Sequence, residues 1–222
     1  MPKTPRQTTR RADALTKMKV VHAAIEILDA GGEAALTFRT LATRLATGSG
    51  ALYWHVADRN TLLTDATADV LARTLSDLPK VDEPAPAIRA VALAVFDAID
   101  AHPWVGSHLS QEPWHRAIGE IFERIGEQLE PLGVAADAEF DCASALTSYI
   151  LGTASQNAIN ATRHPGGVDR ETFLESVAER WIQDNPGRRP FIRRVAAQLR
   201  DHEDRRQFLA GIDLILSGAC LR

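Results

Sequence analysis

The sequence predicts an all-α protein of two parts, an N-terminal three-helix unit and a larger C-terminal helical unit. Apolar residues recur at helical spacing in most stretches between prolines, and these stretches are rich in Ala, Leu, Glu and Arg. No stretch alternates convincingly as a half-buried strand would, and no Asn-Gly hairpin turn is present. The proline-rich "LPKVDEPAP" of residues 78–86 separates the two parts. We therefore expect domains at residues 1–65, with a linking helix to about 78, and at 79–222.

The first predicted helix runs from about residue 13 to residue 30. Its apolar face is formed by four residues at helical spacing: Met18, Val21, Ile25 and Leu28. The pair Gly31-Gly32 follows, and glycine accepts the left-handed conformation that ends many helices. We expect the helix to stop there.

Two short helices joined by a tight turn come next. Thr37 is a suitable N-cap for a helix that ends near Leu45, and "ATGSG" of residues 46–50 forms the turn. A third helix is predicted for residues 49–56. Asp58 then caps a fourth helix, whose apolar face includes Leu62, Ala66 and Val70. A long helix followed by two short ones is the arrangement of a helix-turn-helix.

The C-terminal part is predicted to contain six helices, near residues 87–101, 114–130, 136–163, 169–183, 190–200 and 203–220. Two apolar stripes fall on the third and sixth of these. Such stripes are usually core, but small residues beside them also permit close packing between subunits. We expect a homodimer whose four-helix seam includes Leu146, Ile150, Phe208, Ile212, Ile215 and Leu216.

Charge is distributed unevenly along the chain. Residues 1–65 carry a net charge of +3 and the remainder −7, within a total of −4. A basic first third predicts contact with a polyanion, although a solvated basic tail would look the same. The apolar runs are shorter than the about 18 residues of a membrane helix, and no secretion signal precedes the first helix. With two isolated cysteines, Cys142 and Cys220, we expect a cytoplasmic protein without membrane contact.

The stretch "ALYWHVADRNTLL" carries the most specific signal. Leu52 and Val56 are four residues apart and can face the core together, whereas consecutive residues point about 100° apart in a helix. Tyr53, Trp54 and His55 therefore cannot all be buried with them. Rings exposed on the second short helix of a helix-turn-helix are suited to contacts with DNA.

The stretch from Val20 to Asp65, and "LTFRTLATRLATGSGALYWHVADRNTLL" above all, resembles the DNA-binding domain of the TetR family of bacterial regulators. The turn, the aromatic run and the start of the following helix are all in register with that pattern. The resemblance implies an N-terminal DNA-binding domain and a C-terminal domain that binds a small-molecule effector and dimerises. It also implies a palindromic double-stranded operator and a repressor that the effector releases.

The resemblance implies a role for each position of the motif. Thr37 and Arg39 match positions that touch phosphate and a base edge. Base-facing positions are occupied by Ser49, Gly50 and Ala51. Backbone contacts are implied for Tyr53 and His55. Trp54 matches a ring that lies against the backbone or a base, although it is equally consistent with packing inside the protein. Arg59 stands where the family has a lysine that grips phosphate.

Two departures from the family pattern concern the turn and the recognition helix. The turn has Ala46 and Thr47 where the family has glycine and an apolar residue, so we expect a reshaped turn. Ser49 and Gly50 replace longer side chains, which leaves more of the sequence recognition to Arg39, to Tyr53 and to DNA shape.

Aromatic and polar residues of the C-terminal part suggest a ligand pocket, since pockets combine apolar walls with a few polar groups. The candidate residues are Trp104, His108, Trp114, Phe122, Tyr149 and Asn157, for which core or interface packing is the alternative. The spacing of His102, His108 and His115 does not place them on one helical face, so we expect no metal and no cofactor.

No phosphate-binding glycine loop, nucleophile elbow or zinc-protease motif occurs in the sequence, so we expect no catalytic residues. A ligand-released transcriptional repressor is the favoured interpretation. Two alternatives remain at this stage: an all-α enzyme, for example with His108 as a base, and a helical adaptor that does not read DNA.

Overall fold

The computed structural model describes residues 15–162, 169–183 and 190–219, and every regular element in these ranges is a helix. The all-α prediction is confirmed. The N-terminal helices are α1 (Lys17–Ala35), α2 (Phe38–Arg44), α3 (Ser49–Leu52) and α4 (Arg59–Ser76). The others are α5 (Pro84–Ala101), α6 (Pro103–Gln111), α7 (Arg116–Gly126), α8 (Leu129–Leu132), α9 (Glu139–Thr162), α10 (Arg170–Gln183), α11 (Pro190–Val195), α12 (Ala197–Arg200) and α13 (Asp204–Ala219). None of the described helices is both long and apolar enough to span a bilayer.

Helix α1 starts and stops for local reasons. The Thr16 side chain accepts a hydrogen bond from the backbone N–H of Lys19 and so caps the first turn. Gly32 has a φ of 65°, which interrupts the regular helix at the predicted glycine pair, and one further turn leads to Ala35. Met18 is exposed rather than buried with the rest of its predicted face.

Helix α2 is held by caps at both ends. At its start, Thr37 and Thr40 form a reciprocal capping box, as the N-cap prediction required. At its end, the N–H of Thr47 donates to Ala42 O at 3.0 Å and the N–H of Ala46 to Thr43 O at 3.2 Å. These two bonds form a Schellman motif, whose left-handed position is filled here by Ala46 with a φ of 48°.

Helix α3 is a single turn and is shorter than the predicted span of residues 49–56. The N–H groups of His55 and Val56 both donate to Leu52 O, at 2.9 and 3.0 Å, which tightens the chain after Leu52. Leu52 and Val56 are buried as predicted. Tyr53, Trp54 and His55 consequently lie in the turn that follows the helix rather than along its side.

The C-terminal part contains one helix that the sequence did not predict. Helix α6 begins at Pro103, where the missing N–H costs nothing in the first turn, and it ends before Pro113. Gly106 lies where a Cβ would be 2.5 Å from Ser155 Oγ, so α6 approaches α9 closely. The predicted helix at 114–130 is divided into α7 and α8.

Helix α9 is the centre of the C-terminal core and packs against α5, α6, α7 and α13. Its stripe and that of α13 face each other within one chain, and the Tyr149 ring of α9 stacks on the Phe208 ring of α13 with ring centres 5.7 Å apart. The burial of these stripes corrects the predicted dimer seam. Leu146, Ile150, Phe208, Ile212 and Leu216 are buried, and Ile215 packs partly buried against the same core. The core of one subunit already covers the face that was assigned to its partner.

Two polar links tie the N-terminal helices to the rest of the chain. Asp29 Oδ1 on α1 lies 2.6 Å from His102 Nδ1 and accepts a hydrogen bond of 2.7 Å from Trp104 Nε1 on α6. Thr64 on α4 meets His108 of α6 and His115 at the start of α7. Helix α6 therefore contacts both α1 and α4.

Candidate nucleic-acid interface and effector cavity

A shallow depression between α2 and α3 forms the outer surface of the helix-turn-helix. It brings together three of the predicted DNA contacts, namely Arg39, Ser49 and Tyr53. Arg39 is exposed, and none of the described residues bonds to its guanidinium. Gly50 is also exposed, and a Cβ at that position would have no neighbour within 4 Å. The surface of this turn is therefore open to close approach by a large partner.

The three rings after α3 have different environments. Tyr53 stacks on Phe38 of α2 with ring centres 4.6 Å apart and an interplanar angle of 10°, yet remains 59% exposed. Trp54 is 89% exposed, which excludes the alternative that it packs inside this chain. His55 is half-buried. Trp54 therefore presents its ring to solvent next to the exposed Tyr53.

Of the remaining DNA candidates, Thr37 and Arg59 form hydrogen bonds within the chain, whereas Ser49 and Ala51 differ in their exposure. Ser49 is exposed and Ala51 is half-buried. The hydroxyl of Thr37 is engaged in the capping box. The guanidinium of Arg59 contacts the connection between α1 and α2, donating to Leu36 O at 3.0 Å and to Glu33 O at 2.5 Å. These contacts satisfy carbonyls after α1 and hold the start of α4 against them.

The start of α4 is fixed by a second local contact. Asp58 accepts a hydrogen bond of 2.7 Å from the backbone N–H of Thr61. Hydrogen bonds from the backbone and side chain of Thr61 lower the pKa of the Asp58 carboxyl. The cap is therefore ionised at neutral pH, and its negative charge complements the helix dipole.

A cavity of about 580 Å³ lies between α9, α10 and the segment from α12 to α13. Two of the predicted ligand residues, Tyr149 and Asn157, line it. Aromatic walls come from Phe173 and Trp181 of α10. The Asn157 amide nitrogen is buried beside the cavity and has no hydrogen-bond acceptor among the described residues.

A charged group forms another wall of this cavity. Asp204 Oδ1 lies 2.7 Å from a guanidinium nitrogen of Arg170 and 3.0 Å from His202 Nε2. On the opposite side, Tyr149 donates to Phe208 O at 3.2 Å. Gly211 makes room for this ring, because a Cβ there would lie only 2.0 Å from the Tyr149 hydroxyl oxygen.

The other four ligand candidates lie outside the cavity. Trp104 is buried and donates to Asp29. Trp114 is 96% exposed, and Phe122 packs on Phe140 with ring centres 5.8 Å apart. The expected aromatic pocket around the two prolines is therefore divided between core, surface and a peripheral ring pair, because Trp104 lies on α6, Trp114 in the connection after it and Phe122 on α7.

His108, the remaining candidate, forms a buried pair with His115, with ring centres 5.6 Å apart. His108 Nε2 is 3.3 Å from the Thr64 hydroxyl, and His115 Nε2 is 3.1 Å from Thr64 O. His115 Nδ1 accepts from the backbone N–H of Ala117 and caps α7. Burial lowers the pKa of both imidazoles, and the neighbouring His115 lowers that of His108 further. His102 bonds to Asp29 instead, and the described residues contain no cluster of three or more metal-ligating side chains.

Several functional residues were missed at the level of sequence. Phe38 supports Tyr53 from another helix, and no local pattern pairs the two rings. Phe173, Trp181 and Arg170 line the cavity from α10. The amphipathic spacing of α10 predicted that one of its faces is covered, but not that this face borders a cavity with α9.

Comparison with known proteins gives the family. No family model matches the chain. The transcriptional regulator SCO7222, a TetR from Streptomyces coelicolor, is 44% identical, with 94% of this chain and 99% of that chain covered at a TM-score of 0.84. An HTH-type transcriptional regulator of Saccharopolyspora erythraea is 26% identical over 178 residues, covering 79% of this chain and 75% of that protein.

A third relative matches a shorter part of the chain. The class D tetracycline repressor protein of Escherichia coli is 39% identical over 59 residues, which are 27% of each chain. This match agrees with the N-terminal resemblance found in the sequence. The near-complete coverage and 44% identity to a solved TetR lead to one conclusion: the chain belongs to the TetR family of transcriptional regulators.

Proposed function

We propose that the protein is a repressor that binds a palindromic operator as a homodimer and leaves it when a small molecule occupies the C-terminal domain. The carrying observation is the depression on the helix-turn-helix surface that brings Arg39 and Tyr53 together, with the exposed Trp54 next to Tyr53 in the chain. A regulator of this family needs a DNA-facing surface, and this group combines a guanidinium with two exposed rings. Its relatives are regulators rather than enzymes, which disfavours the all-α enzyme alternative.

The proposed DNA contacts are of two kinds: those that recognise bases, and those that bind the backbone and hold the protein in register. The guanidinium of Arg39 suits the O6 and N7 atoms of guanine in the major groove. Ser49, Gly50 and Ala51 allow α3 to approach the base edges. Tyr53, Trp54 and His55 contact the sugar-phosphate backbone, and the stack on Phe38 holds Tyr53 in place for that contact. Thr37 and Arg59 support this surface from the caps of α2 and α4.

The homodimer seam lies on the outer faces of α9 and α13 rather than on the predicted stripes. The exposed residues of these faces are mostly small and include Ala145, Ser148 and Gly152 on α9, and Ala210, Leu214 and Ser217 on α13. Leu214 is a large apolar residue that is 74% exposed in one chain. Two-fold pairing through this surface places the recognition helices about 34 Å apart, one turn of DNA.

The effector binds in the cavity lined by Tyr149 and Asn157, where Asn157 offers an amide donor and α10 offers aromatic walls. An effector releases DNA when it binds better to a conformation with the wrong spacing of recognition helices. The contacts of α6 with Asp29 and Thr64 give a route by which movement in the C-terminal domain reaches α1 and α4. We divide the chain into residues 1–65, a linking helix to about 78, and 79–222, and place it in the cytoplasm with its DNA.

Trp54→Ala, with Trp114→Ala as the matched control, tests the DNA surface. Both residues are exposed tryptophans, but Trp114 is far along the chain in the connection between α6 and α7. The probe is a DNA fragment from upstream of the gene that encodes this chain. We expect Trp54→Ala to weaken binding by about tenfold, equivalent to about 1.4 kcal/mol, and Trp114→Ala to leave it unchanged.

The salt dependence of the same assay provides a second readout. Affinity of the unmodified protein should fall steeply between low and physiological salt, because phosphate contacts release counterions. Equal affinity of the two tryptophan variants would contradict the assigned surface. A folded dimer that shifts no fragment at low salt would favour the adaptor alternative.

A further inference from the structure

A second cavity, of about 810 Å³, lies between α1, α4 and α7, away from the proposed effector cavity. It spans the junction of the two parts of the chain, since α1 belongs to the DNA-binding unit and α7 to the C-terminal core. Its apolar lining is formed by Met18, Val21, Ala68, Leu71, Ala72 and Leu75. We call this space the junction groove.

Met18 shows that the groove is not simply an extension of the core. The spacing of α1 places this residue on the face that contains the buried Val21, yet its side chain is largely exposed at the groove. Ala72 on α4 is likewise exposed. The other apolar lining residues are buried, so an apolar body in the groove would gain by covering Met18 and Ala72.

One edge of the groove carries a charge cluster centred on Asp65 of α4. Lys17 Nζ of α1 is 2.7 Å from Asp65 Oδ2, and a guanidinium nitrogen of Arg116 on α7 is 3.3 Å from Asp65 Oδ1. The Asp65 side chain is only 14% exposed, whereas those of Lys17 and Arg116 are 57% and 68% exposed. The carboxylate is covered by the two cations, which present their outer sides to solvent.

The other charges around the groove are balanced in pairs. Asp69 pairs with Arg73 at 2.7 Å, with His22 at 3.6 Å beside it, and Glu120 pairs with Arg124 at 3.4 Å. Two cations sharing Asp65 leave a surplus of one positive charge at this edge. Because a guanidinium has five N–H donors, the contact of Arg116 with Asp65 leaves donors available for a second anion.

We propose that the junction groove is a second ligand site, which binds a hydrophobic monocarboxylate. The carboxylate of the ligand would accept hydrogen bonds from Lys17 and Arg116, and its apolar body would cover the exposed Met18 and Ala72. A cationic amphiphile fits less well, because it would have to displace two cations to reach Asp65. A neutral ligand would bind less tightly, because it gains no ion pair with the surplus positive charge of Lys17 and Arg116.

A ligand at this site would touch α1, α4 and α7 together. It would therefore bias the position of α1 relative to the C-terminal core, so that operator affinity becomes a function of two ligands. This consequence rests on the proposed function, whereas ligand binding itself does not, and the test below uses protein without DNA.

The probes are octanoate, octylammonium and 1-octanol, titrated by calorimetry into the full-length protein. We expect octanoate to bind most tightly of the three. Arg116→Gln should weaken octanoate by about tenfold, as the loss of one charge-assisted hydrogen bond implies, and Lys80→Gln, an exposed lysine in the connection between α4 and α5, should not. Ala72→Trp should abolish binding by filling the groove, whereas Ala101→Trp, at an exposed alanine ending α5, should leave it intact.

A second measurement locates the ligand without changing the groove. The chain has two methionines, so a protein labelled with ¹³C at the methionine methyl groups gives few signals, and Met18→Leu assigns that of Met18. Octanoate should shift the Met18 signal with the same midpoint as calorimetry. Octylammonium or 1-octanol binding as tightly as octanoate, an unmoved Met18 signal, or full binding by folded Ala72→Trp would each overturn the proposal.

Discussion

The strained turn between α2 and α3 gives the most direct test of the fold that presents the DNA surface. Ala46 occupies the left-handed position of the Schellman motif with a φ of 48°. A residue with a Cβ costs about 1–2 kcal/mol in this conformation, and glycine does not carry this cost. Glycine also gives the unfolded chain more conformational freedom, and this lowers the free energy of unfolding by about 0.4–1 kcal/mol. Ala46→Gly should therefore stabilise the protein by about 0.5–1 kcal/mol.

The measurement is thermal unfolding followed by circular dichroism. For a chain of this size, each kcal/mol corresponds to about 2–4 °C, so the melting temperature of Ala46→Gly should rise by about 1–4 °C. Ala57→Gly is the matched control, because Ala57 is an exposed alanine just beyond the same motif and does not have a positive φ. Ala57→Gly should lower the melting temperature, since it increases the freedom of the unfolded chain without relieving any left-handed strain. If the two variants melt alike, the left-handed strain at Ala46 is refuted.

Two further predictions concern the seam and the histidine pair. Leu214→Arg should convert the dimer to single chains of 24.2 kDa by light scattering, while the exposed control Trp114→Arg remains dimeric; a dimeric Leu214→Arg variant would place the seam elsewhere. His108 and His115 have lowered pKa values in the folded protein. Below pH about 6.5 the unfolded chain takes up protons first, so stability should fall as the pH drops from 7 to 5. The double variant His108→Gln/His115→Gln should flatten this dependence in urea denaturation, and an unchanged slope would contradict the assignment.

For the dimer seam, the sequence pattern correctly predicted which faces of α9 and α13 are buried but not which surface buries them. Helical spacing in α9 and α13 correctly predicts that Ile150 and Ile212 are covered. Spacing reports that a face avoids water, but it carries no information about which surface covers it. In the folded chain the two stripes cover each other, and the seam proposed above uses the outer faces with Leu214 instead.

The ligand residues divide for a related reason. Tyr149 and Asn157 lie on one face of a long helix, and both reach the same cavity. Trp104, His108 and Trp114 were grouped by nearness in sequence, and α6 was not predicted between them. Trp104, in the first turn of α6, enters the core, whereas Trp114 lies beyond the end of α6 in the connection to α7 and remains in water.

By itself, the sequence determined the all-α class, the cap at Thr37, the glycine break in α1 and the burial of Leu52 with Val56. These features depend on contacts between residues within a few positions, where local hydrogen bonds and periodicity are decisive. Only the tertiary structure decided that Trp54 is exposed, that the stripes of α9 and α13 meet within one chain, and that α1, α4 and α7 enclose a groove. Those outcomes depend on the relative placement of helices distant in sequence, which no local pattern encodes.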